Sequence, residues 1–147
     1  ALWTIPGERT KNGKAHVVPL SSQAAEILQE QKKITGGAGL VLPGRTSGNP
    51  LSTGTLHESM KRNNRFGIAT FTPHDFRRTA STILHEQGWN SDVIEKALNH
   101  TMKGVRGIYN KAEYLDQRRE MLQAWGGYVM ALKDGAAIVP IGAAKSA

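Results

Sequence analysis

The chain has 147 residues, about one domain's worth, and no cysteine, which excludes disulfides, thiolate metal sites and cysteine nucleophiles. Lysine and arginine number 19 against 12 acidic residues, a formal charge of +7, and that excess points to a polyanion partner, most often nucleic acid. No stretch approaches the roughly 20 apolar residues of a membrane span, and the opening ALWTIPGERTK lacks a signal peptide's long apolar core.

Residues 2–6 (LWTIP) and 16–20 (HVVPL) are short runs rich in β-formers, separated by Asn12-Gly13, two residues that tolerate positive φ. They predict a β-hairpin over 2–20, with Lys11 and Lys14 at its turn and Pro6 and Pro19 at strand ends or edges. Ser21 or Ser22 caps a helix over 22–33, with Ala24, Ile27, Leu28 and Gln31 on one face, and Gly36-Gly37 ends it. A short strand over 39–43 (GLVLP) and a loop over 44–51 follow, then a helix over 52–63 capped by Ser52.

Thr72-Pro73 is a helix start, a capping hydroxyl followed by proline at the first helical position, and the helix should stop at Gly88. Asn90 or Ser91 caps the next, over 91–99, whose apolar side is Val93, Ile94, Ala97 and Leu98. A turn at 100–104 leads to a short helix near 104–110 and then to a longer one over 112–132, which Gly126-Gly127 should weaken. Residues 134–147 form a small-residue tail around an apolar AIVPI stretch. The outline is mainly helical, with a small sheet near the front and no internal repeat.

Four features carry candidate chemistry: Lys11 at the hairpin turn, His74-Asp75-Phe76-Arg77 at a helix start, Leu98-Asn99-His100, and Tyr109 nine residues after His100. Singly each has an ordinary reading: a solvated lysine, a half-buried tyrosine, a histidine at a helix end. His74 and Arg77, three apart, share one helix face in a first turn where free N–H groups and the helix dipole already favour an anion.

Taken in order, with their flanking text, these features resemble the tyrosine recombinase family, also called the phage integrase family. The matching segments are TKNGKAHVVPLS, TPHDFRRTAS and LNHTMKGVRGIYNKAEYLDQRREMLQAW, which together span residues 3 to 125 or so. The resemblance implies an α+β, mainly α-helical catalytic domain of the DNA breaking-rejoining type with a small antiparallel β-sheet. It implies that Lys11 is the family's hairpin lysine, that His74 and Arg77 are its H-x-x-R pair, that His100 is its later histidine and that Tyr109 is its nucleophile. Where the family usually has Leu-Gly-His this chain has Leu98-Asn99-His100, and asparagine reaches left-handed backbone angles nearly as well as glycine.

The family's first catalytic arginine precedes the strand that begins at Leu2, and Arg9 comes too late to replace it. The expected organisation is therefore the C-terminal part of a catalytic domain over 1–132, without its DNA-binding arm and core domains and inactive alone, and a tail over 133–147 that either packs in trans or frays.

The implied chemistry is strand cleavage through a 3′-phosphotyrosine. Arg77 and His100 would stabilise charge on the phosphate, His74 would act as base or proton shuttle, and Lys11, on a mobile hairpin, would protonate the leaving 5′ oxygen. Rejoining then needs neither ATP nor metal, so no cofactor is expected. Lys14, Lys61, Arg62, Arg65, Arg78, Lys103, Arg106 and Lys111 are candidate DNA contacts, mainly to phosphates.

The implied partners are double-stranded DNA attachment sites, a homo-tetramer on DNA and accessory DNA-bending or directionality proteins, with no membrane, in a cytoplasmic, nucleoid-associated setting. The phrasing of TKNGKAHVVPLS leans towards integrases of mobile elements.

Rival readings are weighed on the same residues. Residues 7–15 (GERTKNGKA) are not a phosphate loop, since five residues rather than four separate the glycines and Ala15 follows the lysine. His85-Glu86 lacks the second histidine of a zinc protease, and no G-x-S-x-G is present. Two alternatives stay open: a type IB topoisomerase, which shares the tyrosine chemistry, and a catalytically incomplete DNA-binding fragment.

Overall fold

The computed structural model describes residues 1–37, 39–46, 48–62, 67, 69, 71–101, 104 and 109–135. Two compact units emerge: Ala1–Ala25 with Ala80–Ala147, and Glu26–Thr79.

In the first unit, strands β1 (Leu2–Ile5) and β2 (His16–Pro19) pair antiparallel, from Leu2 opposite Pro19 to Ile5 opposite His16. Pro19 closes its strand, as a residue without an N–H should. Helix α1 (Ser22–Ile34) starts here, where the Ser21 hydroxyl accepts from the Ala24 N–H at 3.2 Å. Helix α3 (Pro73–Glu86) ends here, followed by α4 (Ser91–Ala97) and α5 (Leu115–Lys133). The core of the unit is Leu84, Val93, Ile94 and Met121, with Trp89, Leu98 and Trp125 packed around it. Val93 and Ile94 belong to the apolar side that the sequence assigns to α4.

The helix ends follow their local chemistry. After α3, the N–H of Trp89 donates to the Leu84 carbonyl at 3.1 Å and that of Gly88 to His85 at 2.9 Å, with Gly88 at φ 78. This is the Schellman arrangement, which satisfies carbonyls the helix leaves open while its following apolar residue packs back, here Trp89 onto the core. Asn90 then caps α4 by accepting from the Asp92 N–H at 2.8 Å.

Helix α5 runs unbroken through Gly126-Gly127. Gly126 is required by a close approach: a Cβ there would lie 2.6 Å from the Ser21 hydroxyl. The same face of α5 carries Arg118, only 1% exposed, whose guanidinium donates to the Val17 carbonyl of β2 at 2.9 Å. Burial pushes its pKa below the ordinary arginine value, an effect that the nearby Glu113 carboxylate partly offsets. Gln123 completes the dock, accepting from the Ser22 N–H at 2.9 Å. The helix that follows Tyr109 is thereby fixed to the hairpin that carries Lys11.

The second unit holds most of α1, helix α2 (Thr53–Arg62) and the first half of α3. Ser52 caps α2 as expected, accepting from the Thr55 N–H at 3.1 Å. The strand expected over 39–43 is absent. Gly39 takes φ 83, Pro43 has no N–H to donate, and among the described residues the segment pairs along its backbone with the loop after it: an isolated bridge joins Pro43 to Pro50, and the N–H of Leu51 donates to Leu42 at 2.8 Å, while the Val41 carbonyl accepts from the Gln31 side chain of α1 at 3.0 Å. A strand needs a partner, and the apolar run finds no long one. The tail expected over 134–147 lies, from residue 136 on, outside the described residues, as does most of the short helix near 104–110.

Candidate active site

Lys11 sits in a ten-residue loop, 6–15, that is closed by its own hydrogen bonds. A short 3-10 turn, Gly7–Arg9, opens it. Gly7 has to be glycine, because a Cβ would lie 2.5 Å from the Gly13 carbonyl oxygen. Of the Asn12-Gly13 pair only Gly13 is left-handed, at φ 68, so the link is a longer loop and not a two-residue turn. The Asn12 side-chain oxygen accepts from the Lys14 N–H at 3.1 Å. The Thr10 hydroxyl lies 2.9 Å from the Gly7 carbonyl, 2.8 Å from that of Lys14 and 3.1 Å from Asn12 Oδ1, and its single proton serves one of them at a time. Lys11 projects, exposed, from this frame.

His100 follows α4 through a second Schellman turn. Asn99 holds φ 52 in the position that usually belongs to glycine, its N–H donates to Lys96 at 3.1 Å, and the His100 N–H donates to Glu95 at 2.9 Å. The left-handed conformation expected of Asn99 is the one observed. The turn brings the His100 ring onto the Glu95 side chain, with Nδ1 2.7 Å from the carboxylate. That contact fixes the ring and leaves Nε2 as the nitrogen available to a ligand.

Tyr109 is 81% exposed. Its neighbour Asn110 is anchored firmly: the amide donates to the Asp92 carboxylate at 2.9 Å and to the Tyr114 hydroxyl at 2.8 Å. Tyr114, at φ 50, turns the chain into α5, and Lys96 pairs with Glu113 at 2.9 Å.

These three segments converge. A polar cleft of about 150 Å³ is lined by Asn12, Lys14 and His16 from the hairpin, by Lys96, Asn99 and His100 from the end of α4, and by Asn110, Lys111 and Glu113 from the stretch after Tyr109. The structure thus brings the neighbourhoods of Lys11, His100 and Tyr109 to one place, with Lys14 and Lys111 supplying positive charge beside them.

His74 and Arg77 belong to the second unit, in the first turns of α3. His74 is exposed and Arg77 half-buried. Asp75 builds the turn: its carboxylate accepts from the Thr72 N–H and hydroxyl, each at 2.8 Å, and its N–H donates to the Thr72 carbonyl at 3.0 Å, so the Thr72 hydroxyl holds the Asp75 side chain and does not itself accept from a helix N–H. The two bonds to the carboxylate, the backbone one first, hold the Asp75 carboxyl below the ordinary carboxylate range, helped by the charge of Arg78. Asp75 also pairs with Arg78 at 3.3 Å. Phe71 and Phe76 meet edge to face, with ring centroids 5.3 Å apart.

Among the other expected DNA contacts, Lys61 pairs with Glu58 at 3.2 Å, and Arg62 ends α2. Arg65, Lys103 and Arg106 lie outside the described residues.

Sequence reasoning missed Glu95, Asn110 and Arg118. Glu95 had a signal: residues five apart across a Schellman turn are brought side by side. Asn110 and Arg118 had none, since their partners Asp92 and Val17 lie 18 and 101 residues away.

Fold and cleft define a mainly helical domain with a small antiparallel sheet, whose cleft is lined by cationic side chains and by the residues that directly follow an exposed tyrosine. Residues 1–115 match the phage integrase family. The chain is 40% identical over 139 residues to prophage integrase IntA of Escherichia coli, covering 93% of this chain and 33% of that protein. It is 42% identical over 136 residues to prophage integrase IntZ of the same organism, covering 92% and 33%. It is 39% identical over 131 residues to the integrase of Shigella phage Sf6, covering 87% and 34%. No solved structure matches. The chain belongs to the phage integrase family, the tyrosine recombinases. It spans about a third of the length of the curated relatives it matches. Among the described residues, no helix is long and apolar enough to cross a membrane.

Proposed function

We propose that this chain carries the cleavage chemistry of a site-specific DNA recombinase, an integrase of a prophage or other mobile element, acting on double-stranded DNA as a tetramer. The cleft lined by the segments of Lys11, His100 and Tyr109 is the observation that supports this reading most.

The phenol oxygen of Tyr109 attacks the scissile phosphorus, and the bond to the 5′ oxygen breaks. The phenol proton passes to His74, and Lys11 supplies one to the departing 5′ oxygen. Arg77 and His100 donate to the non-bridging oxygens, where negative charge accumulates. Glu95 supports this role by fixing the His100 ring. The resulting 3′-phosphotyrosine keeps the bond energy that a new 5′ hydroxyl uses on rejoining.

A nicked suicide DNA substrate, whose cleaved end diffuses away, tests the reading. The full-length protein should accumulate a covalent adduct that survives denaturation, and Tyr109→Phe should give none. An undiminished adduct in Tyr109→Phe would refute the assignment.

A further inference from the structure

We propose that Asn99 is a positioning residue that latches the Lys11 loop to the helix end bearing His100. The inference rests on the reading of Lys11 as proton donor given above.

Asn99 occupies a left-handed position, φ 52, where glycine costs less. Its side chain has a use that glycine cannot supply: Asn99 Oδ1 accepts from the Asn12 amide at 3.3 Å, across 87 residues of sequence. Asn12 is also the hub of the loop, since its oxygen takes the Lys14 N–H and lies beside the Thr10 hydroxyl. One side chain therefore shapes the loop on both sides of Lys11 and ties it to the residue preceding His100. The two asparagines line the same cleft as His100. The latch sets where the Lys11 ammonium is presented relative to the His100 ring. Without it the loop keeps its internal bonds but loses this tie to the turn after α4.

Asn99→Gly separates this role from a structural one. Glycine suits the left-handed site, so the variant should unfold at the same temperature as the parent or a higher one. In the full-length protein its cleavage rate should nevertheless fall about threefold to fivefold, the range one solvent-exposed hydrogen bond supports.

The decisive readout is a DNA substrate with sulfur in place of the scissile 5′ bridging oxygen. A thiol with an ordinary pKa near 8.5 leaves as the thiolate and needs no donated proton. On that substrate, Lys11→Ala should recover most of its lost rate, and the Asn99→Gly defect should shrink below about twofold.

Cleavage by Asn99→Gly at the parental rate on ordinary DNA would overturn the latch. So would a defect that persists on the sulfur substrate while Lys11→Ala is rescued. Failure of sulfur to rescue Lys11→Ala would remove the proton-donor role, and the inference with it.

Discussion

Gly126 and Gly127 are neighbours in one helix, and the structure assigns their alanine variants opposite fates. Nothing lies within 4 Å of a Cβ at Gly127, whereas at Gly126 a Cβ would lie 2.6 Å from both Ser21 Oγ and Gln23 Oε1 and 2.9 Å from Ser21 Cβ. Gln23 can swing away, but Ser21 is buried at 7% exposure and directly follows the hairpin. In each variant alanine recovers about 0.8–1.0 kcal/mol of helix propensity. Gly127→Ala should therefore stabilise the protein by about that amount. Gly126→Ala gains the same propensity but has to force α5 off Ser21, an overpacking cost of about 1–3 kcal/mol.

Propensity cancels between the two, so Gly126→Ala should be the less stable by about 1–3 kcal/mol. Urea unfolding of both variants at equal slope measures this difference directly. Equal midpoints would refute the reasoning, and with it the view that α5 is seated on the hairpin through this contact.

Three further outcomes follow from the same geometry. Ile94, fully buried at 0% exposure in the core of the first unit, should cost about 2–5 kcal/mol as Ile94→Ala in urea unfolding. Asp75 has a folded-state pKa below the ordinary 3.8, so its cap is fully present above that value and is lost as pH falls through the folded value. An NMR titration of its carboxyl carbon should find the midpoint below 3.8 and move it upward in Thr72→Ala; a midpoint at or above 3.8 in the parent would contradict the cap. Gly7→Ala should rebuild the Lys11 loop, because the added Cβ meets backbone at 2.5 Å. Adduct formation should then fall while the unfolding midpoint of the rest of the protein moves little, and an unchanged adduct yield would show that the loop shape is immaterial.

Much of this protein is written locally. Ser52, Thr72-Pro73, Gly88 and Asn90 mark helix ends because capping is decided by a few adjacent residues, and the structure uses each of them. The order of Lys11, the His74/Arg77 pair, His100 and Tyr109 marks the family for a similar reason, since one chemistry constrains a few residue types along one chain. Asn99 in a left-handed turn was legible because only its own backbone is at stake.

What the tertiary structure decided is everything that needs a distant partner. The apolar run at 39–43 looks like a strand in isolation, and among the described residues its one bridge is to its own loop. Arg118 reads as a surface charge on a helix and lies buried against Val17. Gly126 and Gly127 are indistinguishable by propensity and differ only in what faces them. The amides of Asn12 and Asn99 meet because chain folding brings two helix and hairpin ends together, and no spacing rule reaches across 87 residues. Caps and turns are fixed by atoms a few bonds apart; burial, close approach and convergence on a cleft depend on which surfaces the folded chain sets face to face.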